Sequence, residues 1–468
     1  MKSSKTFRTL CLAVACAAFA FSPAVCAQAQ AVDFLANFNG VNGNSPNAVI
    51  QATDGNFYGT AYFGGAYGQG TVFQMTPGGA LKTIYSFCSG NCSDGNGPYS
   101  LVLGSDANLY GVTIYGGVGL SGTAYRLTLG GEFTLLHTFC SDSTCSDGEN
   151  PNGFGLGSDG NFYGTTAYGG KFNNGVFFQI NPTGKYKVLH SFCALSGCLD
   201  GSFPLWPIQG QDGNFYGTTA RGGAQGGGVI YKLSPGGDYQ VIHNFCSQGN
   251  CADGGVILPL VQDAKGNFFG VTSFGGAHGS GTVFELTAER QFKILHSFDP
   301  PVDGDDPNAG LALANDGNLY GVNLDGKYGN GTAFEITPEG IFTLLYTFDV
   351  SGNAPYAPLF QGTDGLLYGS TDPNTGSSNG TIFSLSNGLS PLVETIPTAG
   401  KVGKRVLILG NGLTGTTSVT FNGAPAEFTV EKDSFIRATV PEGATTGTVS
   451  VVTPSGTLNS NPQFVVTK

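Results

Sequence analysis

Apolar and polar residues alternate along short segments through most of this chain, as in Thr83-Ile84-Tyr85-Ser86-Phe87. Asp-Gly and Gly-Gly pairs separate these segments. Alternation with a period of two, bounded by turn-forming residues, is typical of short β-strands joined by tight turns. The pattern therefore predicts an all-β protein.

The segments are organised into a repeat. A tripeptide of an apolar residue, an aromatic residue and glycine recurs at intervals of roughly 50 residues. The seven copies begin at Phe57, Leu109, Phe162, Phe215, Phe268, Leu319 and Leu367. Each unit predicts four strands, with an Asp-Gly-Asn type hairpin turn between the first and the second. Four strands in a unit of this length match a propeller blade, so residues 32–388 predict a seven-bladed β-propeller.

The two ends of this region complement each other. Residues 34–38 have the pattern of a fourth strand without a unit of its own, and the seventh unit ends after its third strand at residues 381–385. Pairing of these two segments would complete the last blade and remove two exposed sheet edges. We therefore expect the N-terminal strand to close the ring.

The repeat stops after Gly388, and residues 389–468 form a second predicted domain. Short alternating segments at residues 406–410, 419–423 and 449–453 predict strands at the spacing of an immunoglobulin-like β-sandwich. We therefore expect an all-β architecture of two domains, a propeller followed by a small sandwich.

Both domains resemble known families. Residues 160–170 read Gly-Asn-Phe-Tyr-Gly-Thr-Thr-Ala-Tyr-Gly-Gly, and these units resemble the GloVer tandem repeat of choice-of-anchor bacterial proteins. The sixth and seventh units depart from it at Asp325-Gly326 and Thr375-Gly376, where Gly-Gly is expected. Residues 391–468 resemble an IPT/TIG immunoglobulin-like domain. These resemblances imply a secreted or surface protein with a spacer or adhesive module, and no established activity.

The N-terminus has the features of a signal peptide over residues 1–31. Lys2, Lys5 and Arg8 precede an apolar stretch at residues 10–21. Small-residue cleavage sites then end at Ala27, Ala29 and Ala31. We expect a secreted, periplasmic or cell-surface protein with no transmembrane segment after the leader. The net charge of −12 disfavours nucleic acid as a partner.

The cysteines after the leader occur in close pairs, each in the loop that follows a fourth strand. The pairs are Cys88 with Cys92, Cys140 with Cys145, Cys193 with Cys198, and Cys246 with Cys251. In a secreted chain, paired cysteines predict disulfides within each loop. A zinc site is disfavoured because each loop offers only two ligands.

Other residues suggest chemistry less strongly. Histidines recur at equivalent fourth-strand positions, and we interpret them as structural because outermost strands would hold them apart; they are His137, His190, His243 and His296. Asp303, Asp305 and Asp306 are weak candidates for calcium binding, but exposed turn-forming loops explain such Asp-Gly residues better. The chain contains no catalytic or cofactor signature that we recognise.

The sequence therefore favours a non-catalytic extracellular binding or structural protein. Loops rich in tyrosine, asparagine and glycine suit an extracellular glycan, and a protein partner is the other possibility. The alternative function is a carbohydrate-active hydrolase or lyase on a propeller scaffold. That alternative predicts two carboxylates converging near the axis of the ring.

Overall fold

A computed structural model describes residues 31–326, 331–348, 354–372 and 379–467. The predicted signal peptide lies outside these residues except for Ala31. The described chain is almost entirely β-structure, with two short 3₁₀ turns at Ser196–Cys198 and Gly249–Cys251. None of its helices has the length and apolarity needed to cross a membrane.

Seven antiparallel sheets follow one another along the chain, and we number them 1 to 7. Sheet 1 comprises Asn44–Gln51, Phe57–Phe63, Thr71–Met75 and Leu81–Ser86. Sheet 2 comprises Asn96–Leu103, Leu109–Tyr115, Thr123–Leu127 and Phe133–Thr138. Sheet 3 comprises Glu149–Leu156, Phe162–Tyr168, Val176–Ile180 and Tyr186–Ser191. In sheets 4 and 5 the first strand is split into two short pieces. Sheet 4 comprises the pieces Ser202–Pro204 and Ile208–Gln209, followed by Phe215–Arg221, Val229–Leu233 and Tyr239–Asn244. Sheet 5 comprises the pieces Gly255–Ile257 and Val261–Gln262, followed by Phe268–Phe274, Thr282–Leu286 and Phe292–Ser297.

Sheet 6 comprises Ala312–Leu313, Leu319–Asn323, Thr332–Ile336 and Phe342–Thr347. Sheet 7 combines Ala354–Pro355, Phe360–Gln361, Leu367–Asp372 and Thr381–Ser386 with the N-terminal strand Ala31–Asn37. That strand runs antiparallel to Thr381–Ser386, with Val32 opposite Leu385. The predicted closing strand is therefore confirmed.

Glutamines at the ends of first strands connect neighbouring sheets. The side-chain oxygen of Gln51 in sheet 1 accepts a hydrogen bond from the backbone N–H of Thr363 in sheet 7 at 3.0 Å. Gln361 in sheet 7 accepts one from Asn315 in sheet 6 at 2.9 Å in the same way. The first and last sheets are therefore neighbours, and the arrangement closes on itself as in a propeller.

The antiparallel order places connections alternately at two ends of the sheets. The turn face carries the hairpins between first and second strands, such as Asp54-Gly55-Asn56. There Asp54 accepts a hydrogen bond from the hydroxyl of the buried Tyr58 at 2.8 Å, which explains why aspartate and tyrosine recur together. The loop face carries the connections between second and third strands and the disulfide loops between sheets.

The C-terminal module consists of two four-stranded sheets and one short strand pair. One sheet comprises Glu394–Ile396, Arg405–Leu409, Phe435–Thr439 and Phe428–Lys432. The other comprises Ala424–Pro425, Ser418–Phe421, Val449–Thr453 and Gly456–Asn459. The short pair is Ala399–Gly400 with Val465–Val466. The module covers part of the turn face. The Ser434 hydroxyl donates to the Thr53 carbonyl at 2.7 Å, and Leu409 packs into an apolar cluster with Leu103 of the ring.

Candidate functional site

Equivalent residues of all seven repeat units line one pocket near the axis of the ring. Its volume is about 490 Å³, a size suited to a small ligand. Each of these residues lies in the first strand of its sheet or in the segment beside it: Asn47, Tyr99, Asn152, Leu205, Leu258, Asn308 and Tyr356. Second-strand residues Tyr62, Ile114 and Asp372 add to the wall towards the loop face. The repeat thus converges on one cavity.

One wall of this pocket is apolar. Leu205, Trp206, Leu258 and Pro259 come from sheets 4 and 5, where the first strands are interrupted. The Trp206 ring packs edge-on against Tyr99, with the ring centroids 6.0 Å apart. The indole N–H of Trp206 donates to the backbone carbonyl of Asn152, which fixes the orientation of the ring.

The opposite wall is formed by phenols and one carboxyl group from sheets 7, 1 and 2. Burial raises the pKa of Tyr62 to about 12, with Tyr115 and Tyr356 adding to the effect. Burial also raises the pKa of Tyr99, with Tyr356 and Tyr62 contributing, so these hydroxyl groups lie near one another. The pocket is therefore amphipathic, with hydrogen-bonding groups facing apolar side chains.

Asp372 is the single carboxylate among the described lining residues, which include no lysine, arginine or histidine. Its Oδ1 is buried and has no hydrogen-bond partner among the described residues. Burial raises the pKa of Asp372, and an interaction with Ser45 only partly opposes this. A buried carboxylate oxygen without a partner is costly for the free protein, and a ligand that supplies a donor would remove that cost.

Exposed aromatic side chains also lie on the loop face, and one of them, Phe63, lines the pocket. They end the second strands of four sheets at equivalent positions, with 39 to 49% of each side chain exposed: Phe63, Tyr115, Tyr168 and Phe274. Arg221 takes this position in sheet 4 and lies 4.6 Å from the centre of the Phe203 ring. We call the four exposed aromatic residues the aromatic rim.

A larger cleft of about 1320 Å³ separates parts of the turn face from the C-terminal module. Its lining mixes apolar and charged residues with neutral polar ones such as Gln262, Asn315, Thr398 and Ser460. Much of that polar surface is already paired, since Gln262 accepts from Gln211 and Asn315 bonds to Gln361. The central pocket, with its unpaired carboxylate oxygen, is the better candidate site.

The cysteines predicted to pair form four disulfides, each within one loop. These loops lie on the loop face and follow the fourth strands. Each of these loops connects one sheet to the next, from sheet 1 to sheet 5. Each disulfide therefore constrains one connection between neighbouring sheets. None of the eight cysteines lines the central pocket.

The recurrent histidines lie on the fourth strands of sheets 2 to 5, as predicted, and each stacks on an aromatic ring of the next sheet. His137 lies 4.1 Å from the Tyr186 ring, and His243 lies 4.2 Å from the Phe292 ring. In sheet 1 the equivalent Tyr85 stacks on Phe133 at 4.7 Å. These stacked pairs join neighbouring sheets at the outer edge of the ring.

The Asp-Gly aspartates that follow the fourth strands contact the recurrent histidines and the backbone of their own loops. His137 Nε2 lies 2.9 Å from Asp147, and His296 Nε2 lies 2.6 Å from Asp303. Three aspartates of these turn-forming loops are nearly inaccessible to solvent: Asp200, Asp253 and Asp303. Their carboxylates accept hydrogen bonds from the loop backbone, which supplies the partners that buried polar groups need.

The calcium candidates do not form a shared site among the described residues. Asp303 faces His296, whereas Asp305 exchanges backbone hydrogen bonds with Asp325. Burial and neighbouring carboxylates raise the pKa of Asp305 and Asp306. No cluster of three or more potential metal ligands occurs within the described ranges.

Sequence reasoning missed the pocket residues, although the repeat contains a signal for them. Six of the seven lie directly after a proline that recurs at this point of the repeat, as in Pro46-Asn47, Pro98-Tyr99 and Pro355-Tyr356, whereas Leu258 follows Ile257. In those six units the proline is kept while the next residue varies among asparagine, tyrosine and leucine. Variation at one position of an otherwise regular repeat indicates a position that scaffold packing does not dictate.

Comparison with solved structures gives similar folds at low sequence identity. Virginiamycin B lyase from Staphylococcus aureus, solved with quinupristin, shares 13% identity at a TM-score of 0.55, covering 76% of this chain and 99% of that one. A streptogramin B lyase shares 14% identity at a TM-score of 0.53, covering 76% of this chain and 97% of that one. An extracellular domain from B. thetaiotaomicron, assigned to a one-component system, shares 12% identity at a TM-score of 0.52, covering 91% and 46%.

These likenesses establish a propeller-like fold. The four disulfides are typical of proteins from oxidising compartments outside the cytosol. No protein of curated function matches the chain. The Gloeobacter/Verrucomicrobia repeat family matches residues 16–206 and 203–427. Since these matches cover most of the sequence, the protein belongs to the Gloeobacter/Verrucomicrobia repeat family.

Proposed function

We propose that this protein is an extracellular binding protein whose central pocket holds a small carbohydrate or the end of a glycan chain. In this proposal the seven sheets are the blades of a closed propeller, residues 1–31 are a cleaved signal peptide, and residues 389–468 are an IPT/TIG-like immunoglobulin module. The amphipathic lining of the pocket is the observation that carries the proposal. Sugars present an apolar face and a hydroxyl-bearing edge, and the two walls offer matching surfaces.

In this proposal each group of side chains in the pocket contacts a different part of the sugar. Trp206 and Tyr99 provide ring surfaces against which the C–H face of a sugar packs. Asn308, Tyr356 and Asp372 supply donors and acceptors for hydroxyl groups. The aromatic rim offers further stacking positions for sugar units outside the pocket. The C-terminal module contacts the turn face and so leaves the loop face open for such a chain.

Hydrolysis or lyase chemistry is the alternative function. Hydrolysis by paired carboxylates requires two carboxyl groups facing each other across the substrate. Among the described lining residues Asp372 is the single carboxylate. The lyase neighbours, at 13 and 14% identity, share the fold with this chain and carry no argument about its chemistry.

A glycan array with the secreted protein tests the proposal, followed by titration calorimetry on the hits. We expect Trp206→Ala to weaken binding by about tenfold or more because the apolar wall loses its largest side chain. Tyr67→Ala is the matched control, since Tyr67 is exposed in a loop of the same face and does not line the pocket. An array without signal above background, or equal loss in both variants, would rule out carbohydrate binding in this pocket.

A further inference from the structure

The central pocket combines tyrosine and tryptophan rings with one carboxylate. Tyr62, Tyr99, Trp206 and Tyr356 line it together with Asp372. Phenol and indole rings attract cations through their electron-rich faces. A single carboxylate within a pocket that has no described basic lining residue adds an uncompensated negative charge. A neutral ligand can donate a hydrogen bond to this carboxylate, whereas a cation also compensates its negative charge.

The hydrogen bonding of Asp372 points to the same ligand chemistry. Its buried Oδ1 has no partner among the described residues, whereas other aspartates of the repeat pair with tyrosine, histidine or backbone donors. The equivalent position is Tyr62 in sheet 1 and Ile114 in sheet 2, so the repeat does not need a carboxylate there. Burial raises the pKa of Asp372, as expected for a carboxylate without a neighbouring cation.

The arrangement of the aromatic side chains in the pocket leaves ring faces accessible to a ligand. Tyr99 and Trp206 meet edge to face, so their contact covers at most one face of one ring and leaves the other faces of the pair uncovered by it. In contrast, histidine and phenylalanine side chains on the outermost strands stack face to face between neighbouring sheets. The unstacked rings of the pocket therefore keep faces that a cation can approach.

We infer that the central pocket selects a ligand carrying a positively charged amine, held between the aromatic rings and paired with Asp372. Within the proposed carbohydrate function, on which this inference rests, the ligand class is an amino sugar with a protonated amino group. The ammonium group donates to Asp372 and lies against the rings, and the sugar ring packs on the apolar wall. The acidic net charge of the protein also attracts such a ligand.

Titration calorimetry with glucosamine, glucose and choline tests this inference on the intact secreted protein. We expect glucosamine to bind at least about tenfold more tightly than glucose, because a charge-assisted hydrogen bond is added. Choline keeps the positive charge without the sugar ring and is expected to bind measurably. Asp372→Asn preserves the shape of the side chain, and we expect it to abolish the preference for glucosamine over glucose.

Two further variants separate a binding role from a structural one. Trp206→Phe keeps an aromatic face and should retain most of the affinity for choline, whereas Trp206→Leu should lose it. Asp142→Asn removes an exposed carboxylate from a loop of the same face and should leave all three affinities unchanged. A thermal melt of Asp372→Asn checks that the variant folds, and Asp372→Ser replaces it if it does not.

The outcomes distinguish this inference from the proposed function. Equal binding of glucose and glucosamine, unaffected by Asp372→Asn, would overturn the cation site and leave the carbohydrate proposal standing. Binding of choline but of neither sugar, lost in Asp372→Asn, would support the cation site and remove the carbohydrate proposal. Binding of none of the three probes would overturn the cation site.

Discussion

At the scale of single residues, the recurrent histidines show how a chemically suggestive side chain serves packing. His190 and His243 stack against Tyr239 and Phe292 of the next sheet. Burial lowers the pKa of both histidines, although Asp200 and Asp253 oppose the effect. The folded protein therefore favours neutral imidazole at these two positions.

This preference makes stability depend on pH. Since the unfolded chain binds protons at a higher pH than the folded one, the stability contributed by neutral His190 and His243 is present above about pH 6.5 and is lost as the pH falls below it. We expect the melting temperature to fall between about pH 7 and about pH 5. His190→Tyr combined with His243→Tyr should reduce this fall, because Tyr85 fills the same position in sheet 1 and bonds to Asp94 at 2.8 Å.

Thermal melts across this pH range check the prediction. His278→Ala provides the control, since His278 is exposed in a loop and stacks on no ring of a neighbouring sheet. The prediction fails if the double variant loses stability on acidification as steeply as the wild type does.

At the scale of strands, closure of the ring depends on one N-terminal segment. Ala36 is 4% exposed and packs with Phe38 and Val49, while the adjacent Asn37 points to solvent. Because successive side chains of a strand lie on opposite faces, the same charge placed one residue apart has different consequences. The pair provides a matched test of the closing strand.

Ala36→Asp should destabilise the protein by about 3 kcal/mol or more, because it buries an unpaired carboxylate in the last sheet. Asn37→Asp adds the same charge on the exposed face and should change stability by no more than about 0.5 kcal/mol. Urea unfolding of both variants measures the difference. Similar midpoints would mean that the strand contributes little to the fold.

The strands and their pairing were largely predictable from the sequence, whereas the pocket was not. Alternation and Asp-Gly turns are local signals, so they locate elements such as Phe57–Phe63 without knowledge of the fold. The lining of the pocket depends on seven sheets meeting around an axis, which brings Asn47 and Tyr356 together across the chain. The buried state of Asp253 likewise depends on the neighbouring sheet, and the sequence shows only an Asp-Gly turn.

At the scale of the whole molecule, the C-terminal module meets the ring through an interface that contains a carboxyl group. Glu394 lies two residues before Ile396 on the same strand and therefore on the same face, the one that packs on the ring. Burial raises the pKa of Glu394 to about 7. The contact between module and ring thus favours the protonated carboxyl group.

The pH dependence of this contact is opposite to that of the histidines. The stability contributed by neutral Glu394 is complete below its ordinary value of 4.5 and is lost as the pH rises through about 7. We expect hydrogen exchange in Glu394–Ile396 and in the turn around Thr53 to be faster at about pH 8 than at about pH 5, after correction for intrinsic rates. Glu394→Gln should remove this difference.

Glu442→Gln is the control for this experiment, because Glu442 belongs to the same module and is exposed. It should keep the exchange behaviour of the wild type. Identical pH dependence in Glu394→Gln and in the wild type would show that the interface does not sense this carboxyl group.

The closing strand also affects the order in which the molecule can be completed. Ala31–Asn37 is synthesised about 350 residues before its partner Thr381–Ser386. Until that partner emerges, the first strand has no edge to join and the other sheets form an open arc. A shortened product of synthesis therefore keeps two unpaired edges, which expose it to aggregation and proteolysis. Ring closure in this way discriminates complete chains from fragments.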